Sequence, residues 1–202
     1  MAHTTFYRMV SDIIPSKIDH RFEGGGIFGD GTYFHLNYRY KWSMDDDHKF
    51  CVITAYKISP KNPLSIQSKD EPDLVDAVDL KIRSNSLANA IKKKTGSTVS
   101  CENLSKLCSK NGFDSLLVTG TGSNEPDGGN QLIIPSTSDL APNPIWFDVC
   151  FHDKKSRDKL LKAVGRLGES RTANAHYDVT NIPWEYSDAV SRFLSKMGID
   201  DL

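Results

Sequence analysis

The chain has 202 residues, a formal net charge of −1, 38% hydrophobic residues and 25% charged residues, which fits one medium soluble domain or a core with an appendage. That near-neutral balance predicts neither nucleic acid nor a membrane surface as a bulk electrostatic partner. No apolar run approaches the roughly 18–20 residues that a membrane-spanning helix needs.

The opening MAHTTFYRMV lacks a charged segment followed by an apolar run. The expected location is therefore cytoplasmic, or reached as an effector by a route that reads no such signal. Thr5–Val10 reads as a short strand. Asp12–Phe22 holds at most one helical turn, because Pro15 limits it. Gly24–Phe34 (GGGIFGDGTYF) carries glycines that permit tight turns and close backbone approach to a ligand. Asn37–Asp47 reads as a helix or loop that ends in a solvated acidic run, and Phe50–Ile58 (FCVITAYKI) as a strand.

Ser59–Ile66 reads as a connection punctuated by Pro60 and Pro63. Glu71–Ile82 places Leu74, Val75, Val78 and Ile82 on one helical face, and Ser86–Lys94 is a second short helix with a basic end. Ser100 caps a third helix, which Gly112 stops. Phe113–Gly120 and Gln131–Ile134 read as two strands of a hairpin joined by a long polar loop, and Pro144–Asp153 as a further strand. Beyond it, Lys154–Leu167 reads as a helix. Ile182-Pro183-Trp184 leads into another, with Val190, Phe193, Leu194 and Met197 on one face. The four cysteines, Cys51, Cys101, Cys108 and Cys150, form no CxxC, and no histidine pair has zinc spacing, so no metal site is expected. Buried reduced thiols are the simplest reading of the cysteines.

Three pieces carry chemistry: FYRMV at Phe6–Val10, GIFGDGTYF at Gly26–Phe34 and GGNQLIIP at Gly128–Pro135. In this order and spacing they resemble the ADP-ribosyltransferase superfamily, which splits NAD between nicotinamide and ribose. Breaking that bond builds positive charge on the ribose. A site must therefore hold the nicotinamide amide, stack its ring, grip the diphosphate and stabilise the cationic sugar. The resemblance implies that Arg8 binds NAD phosphate or ribose and that the backbone of Met9 meets the nicotinamide amide. It implies that the turn through Gly31 and Thr32 delivers Tyr33 as the stacking tyrosine. A second aromatic comes from Tyr38, Tyr40 or Trp42. Gln131 stands where the superfamily carries a glutamate. Glutamine still hydrogen-bonds a ribose hydroxyl, but it supplies no charge. Losing one such electrostatic contact costs about 10²–10³ in rate. Asp114, Glu125, Asp127 and Asp30 are candidates to replace it.

The implied fold is α+β: a split, mostly antiparallel sheet with an NAD cleft and flanking helices over residues 1–152, and a C-terminal helical extension over 153–202. The implied function is a mono-ADP-ribosyltransferase using NAD as substrate and a protein or nucleic-acid acceptor, with no membrane partner. The chain is also similar to the RES-type toxins, which degrade NAD. An inactive relative that binds a partner or nucleotide is a third reading, and Gln131 favours it. Plain alternatives stand beside each assignment: Arg8 on an edge strand, Tyr33 and the Tyr38–Trp42 aromatics in a core, Gln131 as a solvated strand residue, and all six histidines structural. No GxSxG or Walker sequence is present. The GxGxxG within Gly24–Gly29 runs into a strand rather than a helix, which excludes a Rossmann reading.

Overall fold

Thr4–Ser11 forms the first strand, β1, of a computed structural model that describes residues 4–21, 24–26, 29–36, 47–67, 80–96, 104–119, 130–164, 169–173 and 176–198. The strands that follow are β2 (Gly24–Gly26), β3 (Gly29–His35), β4 (Phe50–Ile58), β5 (Pro63–Gln67), β6 (Ser115–Thr119), β7 (Gln131–Ile134), β8 (Asn143–Phe151), β9 (Glu169–Ala173) and β10 (His176–Pro183). The helices are α1 (Leu80–Thr95), α2 (Leu104–Asn111), α3 (Lys154–Val164) and α4 (Ser187–Lys196), with single 3-10 turns at Pro15–Lys17 and Trp184–Tyr186. The fold is α+β with mostly antiparallel strands. The chain divides into two units of interleaved segments, and β1 passes from the first to the second between Phe6 and Tyr7.

In the first unit β2 pairs with β3, β3 with β7 and β7 with β6, all antiparallel, while β6 pairs with β5 in parallel. The β6–β7 pairing is the hairpin expected from the sequence. A parallel pair needs a long crossover, and here α1 and α2 lie between β5 and β6 in the chain. Leu64 and Ile66 of β5, Leu116 and Val118 of β6 and Ile133 of β7 form one core with Ala90 and Ile91 of α1 and Leu107 and Cys108 of α2. Gly112 ends α2 in the left-handed region, at φ 71°. Its amide donates to Ser109 O (3.3 Å) and that of Phe113 to Cys108 O (2.9 Å), the paired bonds of a Schellman cap. Phe113 then packs on the same core.

In the second unit β4 pairs with β8, β8 with β10 and β10 with β9, all antiparallel. β4 is buried at every position except Lys57, as its unbroken apolar and β-branched run requires of a strand covered on both faces. Phe50, Val52, Phe147, Val149 and Phe151 pack beneath Leu160 and Val164 of α3 and Val190 and Leu194 of α4. Trp184 meets Phe147 edge to face, with centroids 5.5 Å apart at 76°.

Three expectations change. Ser59–Ile66 is not only a connection, because Pro63 opens β5. Proline is accepted as the first residue of a strand, since no ladder donor is lost there. The residues read as two helices, where described, belong to the single helix α1; positions 71–79, with Leu74, Val75 and Val78, lie outside the described residues. The C-terminal segment read as helical also contributes β9 and β10. Its strand signal is broken by a bulge: the register with β8 shifts between Val179 and Ile182, and Asn181 sits at φ 56°. Buried Asp148 accepts a hydrogen bond from the Asn181 amide (2.6 Å) and holds that bulge.

Candidate functional site

β3 and β7 bring two of the three motif pieces into one ladder. Tyr33 stands opposite Ile133 and His35 opposite Gln131. Residues directly opposite share a face, and alternate residues along a strand share it too. Tyr33, His35, Gln131 and Ile133 therefore lie on one face, although Tyr33 and Gln131 are far apart in sequence. Val118, opposite Gln131 in β6, joins the same face. Tyr33, His35 and Gln131 are each half-buried, and Tyr33 packs against the core that α1 and α2 cover. The pairing runs one bond past β7, since the Leu36 amide donates to Asn130 O (3.1 Å). His35, read as structural from the sequence, shares this face with Tyr33 and Gln131. Its signal was period-2 spacing from Tyr33, which has meaning only once the register with Gln131 is known.

Gly31 and Thr32 lie close beside β7. Gly31 has φ 155°, and a Cβ there would stand 2.8 Å from Ile134 O and 2.9 Å from Ile133 Cγ2. The close approach that requires glycine is thus to β7. Thr32 is buried, opposite Ile134, on the face away from Tyr33. Asp30 pairs with Gly25 in the β2–β3 ladder.

Asp114 does not stand beside Gln131. Gln131 pairs with Val118, and Asp114 lies four residues away, about 13 Å along β6 at 3.3 Å per residue. Its carboxylate is engaged locally: the Lys61 and Asn62 amides donate to Oδ2 (2.6 and 2.9 Å) and the Ser115 hydroxyl to Oδ1 (2.8 Å). These bonds fasten the turn before β5. Asp114 also borders a cleft of about 540 Å³ with Lys61, Asn62, Phe113, Ser138 and Asp139. Neither Tyr33 nor Gln131 lines that cleft, so the cavity and the motif residues do not coincide. Glu125 and Asp127 lie outside the described residues, as do Tyr38, Tyr40 and Trp42.

Arg8 and Met9 belong to the second unit. The Arg8 guanidinium donates to Asp19 O (2.7 Å). Burial pulls its pKa down, while Tyr56 and Asp19 act in the opposite direction; a guanidinium so placed stays protonated at neutral pH. Burial pushes the Tyr56 phenol up to about 12, despite the nearby Arg8 cation. Met9 packs its side chain on Cys51, Ile53 and Cys150.

Among the described residues, no three or more His, Cys, Asp or Glu side chains gather as a metal site, and no helix is long and apolar enough to cross a membrane. No family model, curated protein or solved structure matches the chain.

Proposed function

We propose that the chain is a mono-ADP-ribosyltransferase of the superfamily its motifs resemble, with Tyr33 and Gln131 as the heart of the site. The observation that carries the reading is their place on one face of the β3–β7 ladder, although each belongs to a separate motif. In the proposed reaction Tyr33 stacks the nicotinamide ring and Gln131 hydrogen-bonds a ribose hydroxyl. The bond from ribose to nicotinamide breaks, its electron pair leaves with nicotinamide, and an acceptor nucleophile closes on the cationic sugar. Arg8 gripping phosphate and Met9 meeting the nicotinamide amide are carried over from the resemblance alone, and Arg8→Ala tests the first by a loss of NAD affinity.

One observation favours a second reading, a protein that binds without chemistry. Gln131 is uncharged, and Asp114 is both distant and held by three donors. Gln131→Glu separates the two. On the enzyme reading it raises nicotinamide release by about 10²–10³, the usual worth of one electrostatic contact to a developing charge, and Tyr33→Ala in the same background removes the gain. Unchanged, absent release in Gln131→Glu, with NAD still bound, would leave the binding protein. No NAD binding in either form would end both readings of this position.

A further inference from the structure

We propose that Cys51 and Cys150 form a redox-sensitive dithiol that closes to a cross-strand disulfide. Cys51 of β4 and Cys150 of β8 are direct partners in the antiparallel register. Both are reduced thiols, 1% and 5% exposed, and belong to one cluster with Ile53, so their side chains share a face. Direct antiparallel partners have Cα atoms about 4.5–5.5 Å apart, inside the span of roughly 4.4–6.8 Å found across disulfides. The pairing thus places the two Cα atoms within the range that a disulfide spans.

The fit is close but not relaxed. Cβ atoms of direct partners stand about 4.5–5.5 Å apart, against about 3.5–4.5 Å across a disulfide. Closure must therefore draw β4 and β8 together locally. A bond made under such strain is easily reduced, which marks a reversible modification rather than a permanent staple. The surroundings of the pair permit that movement. Met9, the partly buried side chain on the cluster, is unbranched and adapts to small shifts.

Hydrogen peroxide is the oxidant class that fits a site of such low exposure, being small and neutral. Attack by one cysteine sulfur, as thiolate, breaks the O–O bond, forms a sulfenic acid and releases hydroxide, which takes up the thiol's proton as water. The second thiol then attacks that sulfur, the S–S bond forms, and a second water leaves. Cys150, the more exposed of the two, is expected to react first. Burial keeps the thiols slow, so the reaction proceeds through local opening of the sheet.

The test uses the full-length wild-type protein with no ligand, so it is independent of the NAD reading. The protein is treated with peroxide, unfolded, alkylated and mapped by non-reducing peptide mass spectrometry. The expected result is a linked Cys51–Cys150 peptide, lost on adding a reductant, with two of the chain's four thiols no longer alkylated. A Cys101→Ser, Cys108→Ser variant should give the same linked peptide, because those thiols take no part. Full alkylation of Cys51 and Cys150 after Cys101 and Cys108 have reacted would overturn the proposal. So would oxidation of Cys51 and Cys150 separately to sulfinic acids.

Discussion

At Gly31 the neighbouring strand limits the residue type. Gly31 reads as a glycine that opens space for a ligand, but the space a side chain would need is filled by Ile133 and Ile134. Gly31→Ala should lower stability by about 1–3 kcal/mol, the usual cost of overpacking, as a fall in the urea midpoint at unchanged slope. An unchanged midpoint would show that β7 can yield and that the glycine is not needed for packing. Gln131 is different, because its motif fixes where it stands in the ladder and says nothing of the charge around it. Its partner His35 was beyond reach for a physical reason: cross-strand register depends on a pairing between segments nearly a hundred residues apart. Asp114 reads as a spare carboxylate beside Gln131, yet it is a turn fastener at the far end of β6.

Helices and strands were legible to different degrees. α3 and α4 follow from apolar residues at helical spacing, and Leu160, Val164, Val190 and Leu194 are buried as that spacing requires. Asp153 caps α3, accepting the Ser156 amide at Oδ1 (2.8 Å). That bond, first among the causes, holds the Asp153 carboxyl below its usual range. Asp153→Ala should cost about 1 kcal/mol, within the range for lost N-caps, while Asp153→Ser should recover most of it; urea denaturation measures both. Equal loss in the two variants would mean that the cap bond contributes nothing. β5 was hidden by Pro60 before it and by Pro63 at its start. β9 and β10 were hidden because ESRTA has almost no apolar signal and because the bulge at Asn181 breaks the alternation of its partner. A two-residue period cannot be read across a bulge, where two residues of one strand face one of the other.

The molecule as a whole should lose stability in acid through carboxylates that folding has made more acidic. Asp12, at φ 53°, accepts hydrogen bonds from the Lys49 and Phe50 amides (2.8 and 3.2 Å) and contacts His48 Nδ1 (2.9 Å). Burial works to raise its carboxyl, but these bonds outweigh it and the net shift is downward. Asp153 and Asp158 are lowered as well. A carboxyl whose folded pKa is depressed stabilises the fold above its unfolded value of about 3.9, and that contribution disappears as pH falls through the folded value. The urea midpoint should therefore drop as pH is taken below about 4, and Asp12→Asn should flatten the drop. A variant that tracks the wild type over that range would remove Asp12 from the account.

On the proposed function this chain splits NAD and passes on the ADP-ribose. The most direct measurement incubates purified wild-type protein with NAD labelled in its adenine, alone and with cell lysate, and follows nicotinamide release together with the fate of the label. The expected result is released nicotinamide and label fixed to a macromolecule, both lost in Tyr33→Ala. Label recovered only as free ADP-ribose would replace transfer with hydrolysis. Intact NAD under every condition, for wild type and Gln131→Glu alike, would contradict the claim.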